Sequence, residues 1–105
     1  MAQNTPTEHC PHCRYKSSPR DPETLRHLNN RLKRINGQLA GISRMLEENR
    51  YCGDILLQVA AVENALQGFG YTLLQDHLET CVTEEVKNGN PQVMGEAMDL
   101  IKKLK

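Results

Sequence analysis

Three side chains in this 105-residue chain could together hold a soft metal ion: Cys52, His77 and Cys81. The segment carrying them opens Tyr51-Cys52-Gly53-Asp54 and closes Asp76-His77-Leu78-Glu79-Thr80-Cys81. Between them Ile55, Val59, Val62, Leu66, Phe69 and Leu73 recur at steps of four and three, the spacing of one buried helix face. The same step continued reaches His77 and then Cys81, so an imidazole and a thiol share a face one turn apart. Within one chain Cys52 cannot join them. A single helix over residues 53–87 holds Cys52 about 40 Å from His77, at ~1.5 Å per residue. A break at Gly68-Phe69-Gly70 still leaves it overshooting the pair by roughly three turns. Cys52 reaches the pair only from a second subunit whose long helix runs antiparallel. That predicts a symmetric dimer with two equivalent sites across its interface.

A second cluster lies near the start: His9-Cys10-Pro11-His12-Cys13. Four donors in five residues could chelate a soft metal, yet a lone Cys-x-x-Cys is half a structural zinc site and no second half follows. Two readings stay open, incidental metal affinity in an unstructured tail and an auxiliary-ligand or metal hand-off role. Residues 1–21 read as a disordered tail, because Pro6, Pro11, Pro19, Pro22 and Ser17-Ser18 accompany no apolar period. Residues 22–105 read as one helical domain.

The elements that must position these groups are legible. Asp21 is placed to cap a first helix, with Pro22 and Glu23 suited to its first turn. Leu25, Leu28, Leu32, Ile35, Leu39, Ile42 and Leu46 form an unbroken seam for helix packing. Asn49 and Gly53 mark the turn into the second helix. Gly37 and Gly41, off the seam, predict close approach of another backbone or of DNA, since each costs a helix roughly 1 kcal/mol relative to Ala. The second helix should end at Lys87-Asn88-Gly89. Asn90-Pro91 should restart the chain, with Met94, Ala97, Ile101 and Leu104 of a short C-terminal helix facing inward.

No strand alternation occurs and aromatics are sparse, with one Phe, three Tyr and no Trp, so the fold class reads as all-α. Such a small helical protomer buries too little surface alone, which again predicts oligomers. No stretch is long or apolar enough to span a membrane, and the first residues do not read as a signal peptide, which predicts a cytoplasmic protein. Four cysteines then indicate metal or redox chemistry rather than disulfides.

The net charge is zero but segregated. Arg26, Arg31, Lys33, Arg34 and Arg44 fall in a stretch without an acid, whereas Asp54, Glu63, Asp76, Glu79, Glu84 and Glu85 fall in one without a base. A charge run is commonly just a solvated face, but such faces normally mix signs. An acid-free basic helix is the footprint of phosphate contacts, and no helix-turn-helix or zinc-finger pattern offers another route to DNA.

Three stretches resemble one family: Asn30-Arg31-Leu32-Lys33-Arg34-Ile35-x-Gly37-Gln38-x-x-Gly41-Ile42, Arg50-Tyr51-Cys52-x-Asp54-Ile55-Leu56, and Leu74-x-Asp76-His77-x-x-x-Cys81-Val82. The chain resembles the CsoR/RcnR transcriptional repressors, its copper-sensing branch in particular, over about residues 22–104. The resemblance implies a three-helix protomer, antiparallel four-helix-bundle dimers and a homotetramer that binds operator DNA. It implies metal ligation by Cys52 of one subunit with His77 and Cys81 of its neighbour, one ion per protomer. It further implies that Tyr51 and Glu96 hydrogen-bond around the histidine, Glu96 matching across a loop one residue shorter at Gly89-Asn90-Pro91. Arg31 matches a basic DNA-contact position, whereas a second basic position of some relatives falls near Gly68.

Two thiolates and one imidazole suit trigonal Cu(I), whereas Zn(II) would take a fourth ligand and Ni(II) a planar four. The effector reads as Cu(I), releasing DNA to derepress copper resistance or efflux genes. If one nitrogen of His77 holds the metal, the other donates to a carboxylate such as Glu96, and this link can pull the third helix. Nickel sensing is the rival within the family, through His9 or His12. A helical copper chaperone or storage protein that ignores DNA is the rival outside it. An enzyme is disfavoured, since no nucleophile with a positioned base and no phosphate-binding glycine loop occurs.

Overall fold

The structure, a computed structural model, describes residues 19–104. Asp21 caps the first helix as its sequence position requires: the carboxylate accepts the backbone N–H of Glu23 at 3.1 Å and of Thr24 at 3.3 Å. Helix α1 then runs Pro22–Glu47, with Pro22 in the first turn, where its missing N–H costs nothing. It stops where Asn49 takes φ 56°, a left-handed conformation that Asn tolerates better than most residues. Tyr51 enters the next helix, α2, which spans Cys52–His77. A π-helical turn over Leu78–Val82 joins it to α3, Thr83–Lys87. Gly89, at φ 82°, ends this second rod. Asn90 accepts the N–H of Gln92 through its side chain at 3.0 Å, and α4 follows over Val93–Leu104. The molecule is therefore all-α, two long rods and a short C-terminal one, with no strand among the described residues.

The rods α1 and α2 pack as a helical hairpin. Only part of the expected seam is buried there. Leu28 and Ile35 are sealed against α2, which contributes Val62 in return, each burial worth about 1.5–3 kcal/mol. Leu25, Leu32, Leu39 and Leu46, the alternate positions of that seam, stay exposed, as do Leu56, Leu57 and Leu66 of α2. A hairpin of two rods can cover only one flank of each apolar stripe. The other flank faces outward and lacks a cover within the chain.

The second rod differs from expectation at one place. It does not run as a single α-helix from 53 to 87, because the π-helical turn intervenes just after His77. Thr80 donates to the carbonyl of Asp76 at 2.7 Å and Thr83 to that of Leu78 at 2.9 Å, side-chain bonds that compete with the α ladder. The wider turn shifts the core line, so that Val82 rather than Cys81 is buried. Val82 packs with Val93 and Ala97 of α4, and Leu78 leans on the same cluster. The register of α4 is also offset: Val93 and Ala97 face inward, whereas Met94 is 54% exposed and Ile101 lies at the surface. The helix begins two residues later than Pro91, so its inner line starts at Val93. Leu104 lies against Gly70, where a side chain would occupy its place. No described helix is long and apolar enough to cross a membrane.

Candidate metal centre and basic groove

His77 closes α2 and Cys81 lies inside the π-helical turn that follows, so both belong to the end of the rod that α4 braces. Both are half-buried. A π turn needs more than four residues per revolution, which keeps Cys81 within one turn of His77 while moving it off the α-helical line. The Thr80 hydroxyl donates to the Cys81 sulfur at 3.7 Å. Cys52 is exposed at the first turn of α2, the other end of the rod, and both thiols are free. Among the described residues no group of three or more His, Cys, Asp or Glu side chains converges within one chain. A single chain thus offers two donors at one end and one at the other. The donor set, two free thiols and an imidazole, fits a soft monovalent ion and leaves no fourth protein donor for zinc.

The other sequence-predicted residues fall as follows. Tyr51 adjoins Cys52, 75% exposed, with its ring folded over Gly53 where any side chain would collide with it. Glu96 is half-buried on α4, next to the buried Ala97 that packs on Val82. His9, Cys10, His12 and Cys13 lie outside the described residues, as does nearly all of the expected tail.

One partner of the site carried no sequence signal. Arg20, just before the cap of α1, lies 3.3 Å from the Asp76 carboxylate, the neighbour of His77. Asp76 is 12% exposed and Arg20 34%, and the contact is electrostatic rather than an aligned hydrogen bond. It ties the entry of α1 to the metal end of α2. Removing one partner leaves a largely desolvated charge, whose cost is tempered by the exposure of the arginine. Arg20→Ala should lower stability by about 1–2 kcal/mol, read as a reduced urea midpoint at constant slope. A shift below about 0.5 kcal/mol would show the pair to be fully solvated.

The five bases of α1 are not equivalent. Arg26 reaches back to Glu23 at 2.7 Å, so this base is already paired with an acid just outside the acid-free stretch. Arg31 is half-buried; its Nε donates to His27 Nε2 at 3.4 Å and its guanidinium lies over Gly68, where a side-chain carbon would come within 3.1 Å. The glycine where some relatives carry a base therefore makes room for Arg31. Lys33 is exposed. Arg34 and Arg44 line one groove of about 500 Å³, together with Arg50 and Gln58 from beyond the hairpin turn. Gly37 and Gly41 also line it, and a side chain at Gly37 would meet nothing within 4 Å. No helix of the same chain makes the close approach expected there. Gln38 lines the groove too, its amide oxygen buried without a hydrogen-bond partner among the described residues. A helical wheel had set Arg34 and Arg44 on opposite flanks of the seam; the glycine-lined groove joins them.

The chain was compared with known proteins. A family model described as metal-sensitive transcriptional repressor matches residues 24–103. The copper-sensing transcriptional repressor CsoR of Bacillus subtilis (strain 168) is 46% identical over 77 residues, which is 72% of this chain and 76% of that protein. Among solved structures, the copper-sensing repressor CsoR with Cu(I) from Geobacillus thermodenitrificans NG80-2 superposes with a TM-score of 0.76 at 42% identity, covering 82% of this chain and 91% of that one. The nickel-responsive transcriptional regulator InrS gives a TM-score of 0.69 at 37% identity, over 82% and 98%. The family is one of DNA-level regulators rather than enzymes. Since its model spans both long rods, the π-helical turn and nearly all of α4, the chain belongs to the metal-sensitive transcriptional repressors.

Proposed function

We propose that this chain is a cytoplasmic Cu(I)-sensing repressor, with residues 22–105 as its sensing and DNA-binding domain. Without metal it holds operator DNA; with Cu(I) bound it lets go, derepressing copper resistance or efflux genes. Cys52 of one subunit joins His77 and Cys81 of its partner, giving one site per protomer. The observation carrying this reading is the placement of the donors at opposite ends of one rod, so that only an antiparallel copy completes the set. The exposed line of Leu25, Leu32, Leu39 and Leu46 supports it, since a second hairpin laid on this face covers it and forms a four-helix bundle. Pairing of two such dimers gives the tetramer.

Copper, when bound, supplies three soft coordination bonds that tie two subunits together. The remaining steps belong to the protein. His77 is held by one ring nitrogen and donates from the other to Glu96, with Tyr51 of the partner closing the shell beside Cys52. Since Val93 and Ala97 dock α4 on the π-helical turn, a rotation of His77 or a change in that turn moves α4 as a unit. The tetramer then favours a state whose basic grooves no longer match DNA. Glu96→Ala should keep tight copper binding and lose copper-driven DNA release. Release equal to wild type would sink the linkage.

A likeness to a nickel-responsive regulator makes Ni(II) the second reading, and the three-donor set is the observation against it. The test is anaerobic fluorescence anisotropy with DNA from upstream of the chain's own gene. Apo-protein should bind it, Cu(I) should release it and Ni(II) should not. Release by Ni(II) alone would replace the copper reading. Tight Cu(I) binding without DNA binding to any operator fragment would favour a chaperone.

A further inference from the structure

The core site uses two of the four cysteines. Cys10 and Cys13 remain, in Cys10-Pro11-His12-Cys13, and the structure shows where their segment begins. Arg20 is pinned to Asp76 beside His77. Seven residues separate Cys13 from Arg20, so Cys13 lies at most roughly 25 Å from this anchor, given an extended span of ~3.6 Å per residue. A thiol pair confined to that radius meets the His77 end at an effective concentration in the millimolar range. Two thiols spaced by two residues close one small chelate ring. Soft thiolates select Cu(I) among available metals, and that ion accepts few ligands.

We propose that Cys10 and Cys13 form a second Cu(I) site, which loads first and passes its ion to the His77–Cys81 end of the same chain. Transfer is a ligand exchange without redox change. A Cys81 thiol loses its proton and bonds to copper, one tail Cu–S bond breaks, and the departing thiolate takes up a proton. A second exchange with the partner's Cys52 frees the other tail sulfur in the same way, and His77 completes the set. The copper remains Cu(I) throughout. Delivery rests on the core site proposed above, whereas the existence of the tail site does not.

The test titrates full-length apo-protein anaerobically with Cu(I) buffered by bathocuproine disulfonate. Wild type should take two Cu(I) per chain. The Cys10→Ser/Cys13→Ser variant should take one, and Cys52→Ser/Cys81→Ser should also take one. One Cu(I) in wild type with none in the latter variant would overturn the tail site. One retained in that variant and none in the tail variant would instead overturn the core site and leave the tail standing. Stopped-flow loading of the core from the copper–chelator complex should be at least tenfold slower without the tail thiols. Equal rates would overturn delivery.

Discussion

Mixing Cys52→Ser chains with Cys81→Ser chains is expected to restore tight copper binding that neither variant has alone. Each variant by itself loses one of three ligands at every site. Metal-site free energies of about 10–16 kcal/mol, shared over a few ligands, put that loss at a hundredfold or more in affinity. In a mixed dimer one site combines both defects. The other joins the intact Cys52 of the Cys81→Ser chain to the intact His77 and Cys81 of the Cys52→Ser chain. Random exchange, promoted by mild denaturant and its removal, should give about one tight site per four chains under two-fold symmetry. The readout is Cu(I) stoichiometry against a competing chelator, with the tail thiols replaced by serine in both chains. No recovery on mixing would place all the ligands in one chain and remove the inter-subunit site. The length of α2 makes that outcome physically costly, since Cys52 would have to leave the first turn of a helix to reach His77.

The second large effect concerns DNA. The charge reversal Arg34→Glu/Arg44→Glu should weaken operator binding by on the order of a hundredfold or more at modest salt, about tenfold for each lost phosphate contact. The slope of log affinity against log salt should fall by about two. Copper affinity should not change, because the groove lies along α1 and the hairpin turn, away from His77 and Cys81. Arg26→Ala should cost much less, about threefold or under, since its guanidinium already engages Glu23 in an exposed pair. Binding measured by anisotropy over a range of salt decides the matter. An unchanged affinity and slope in the double variant would show that the groove faces away from DNA.

Much of this molecule follows from its sequence alone. The period of three and four over Leu25–Leu46 and Ile55–Leu73 determines helices, and Asp21, Asn49 and Gly89 determine where they start and stop, because capping and left-handed backbone are local chemistry. The family was legible too, as was the incompatibility of Cys52 with the other two donors in one chain, since helix rise is constant. Other features were decided by tertiary packing. The seam of α1 could not reveal that Leu28 and Ile35 face α2 while Leu32 and Leu39 face outward, because periodicity tells which residues share a stripe and not which neighbour covers each flank. The π-helical turn was hidden for a related reason. One additional residue per turn is invisible in a pattern that tolerates both three and four, and it depends on hydroxyl bonds from Thr80 and Thr83 together with the docking of Val82 on α4. Arg20 meeting Asp76, and Arg34 joining Arg44 and Arg50 in one groove, link residues distant in the chain. Local sequence specifies each of these elements, but only the packing of one against another creates the contacts.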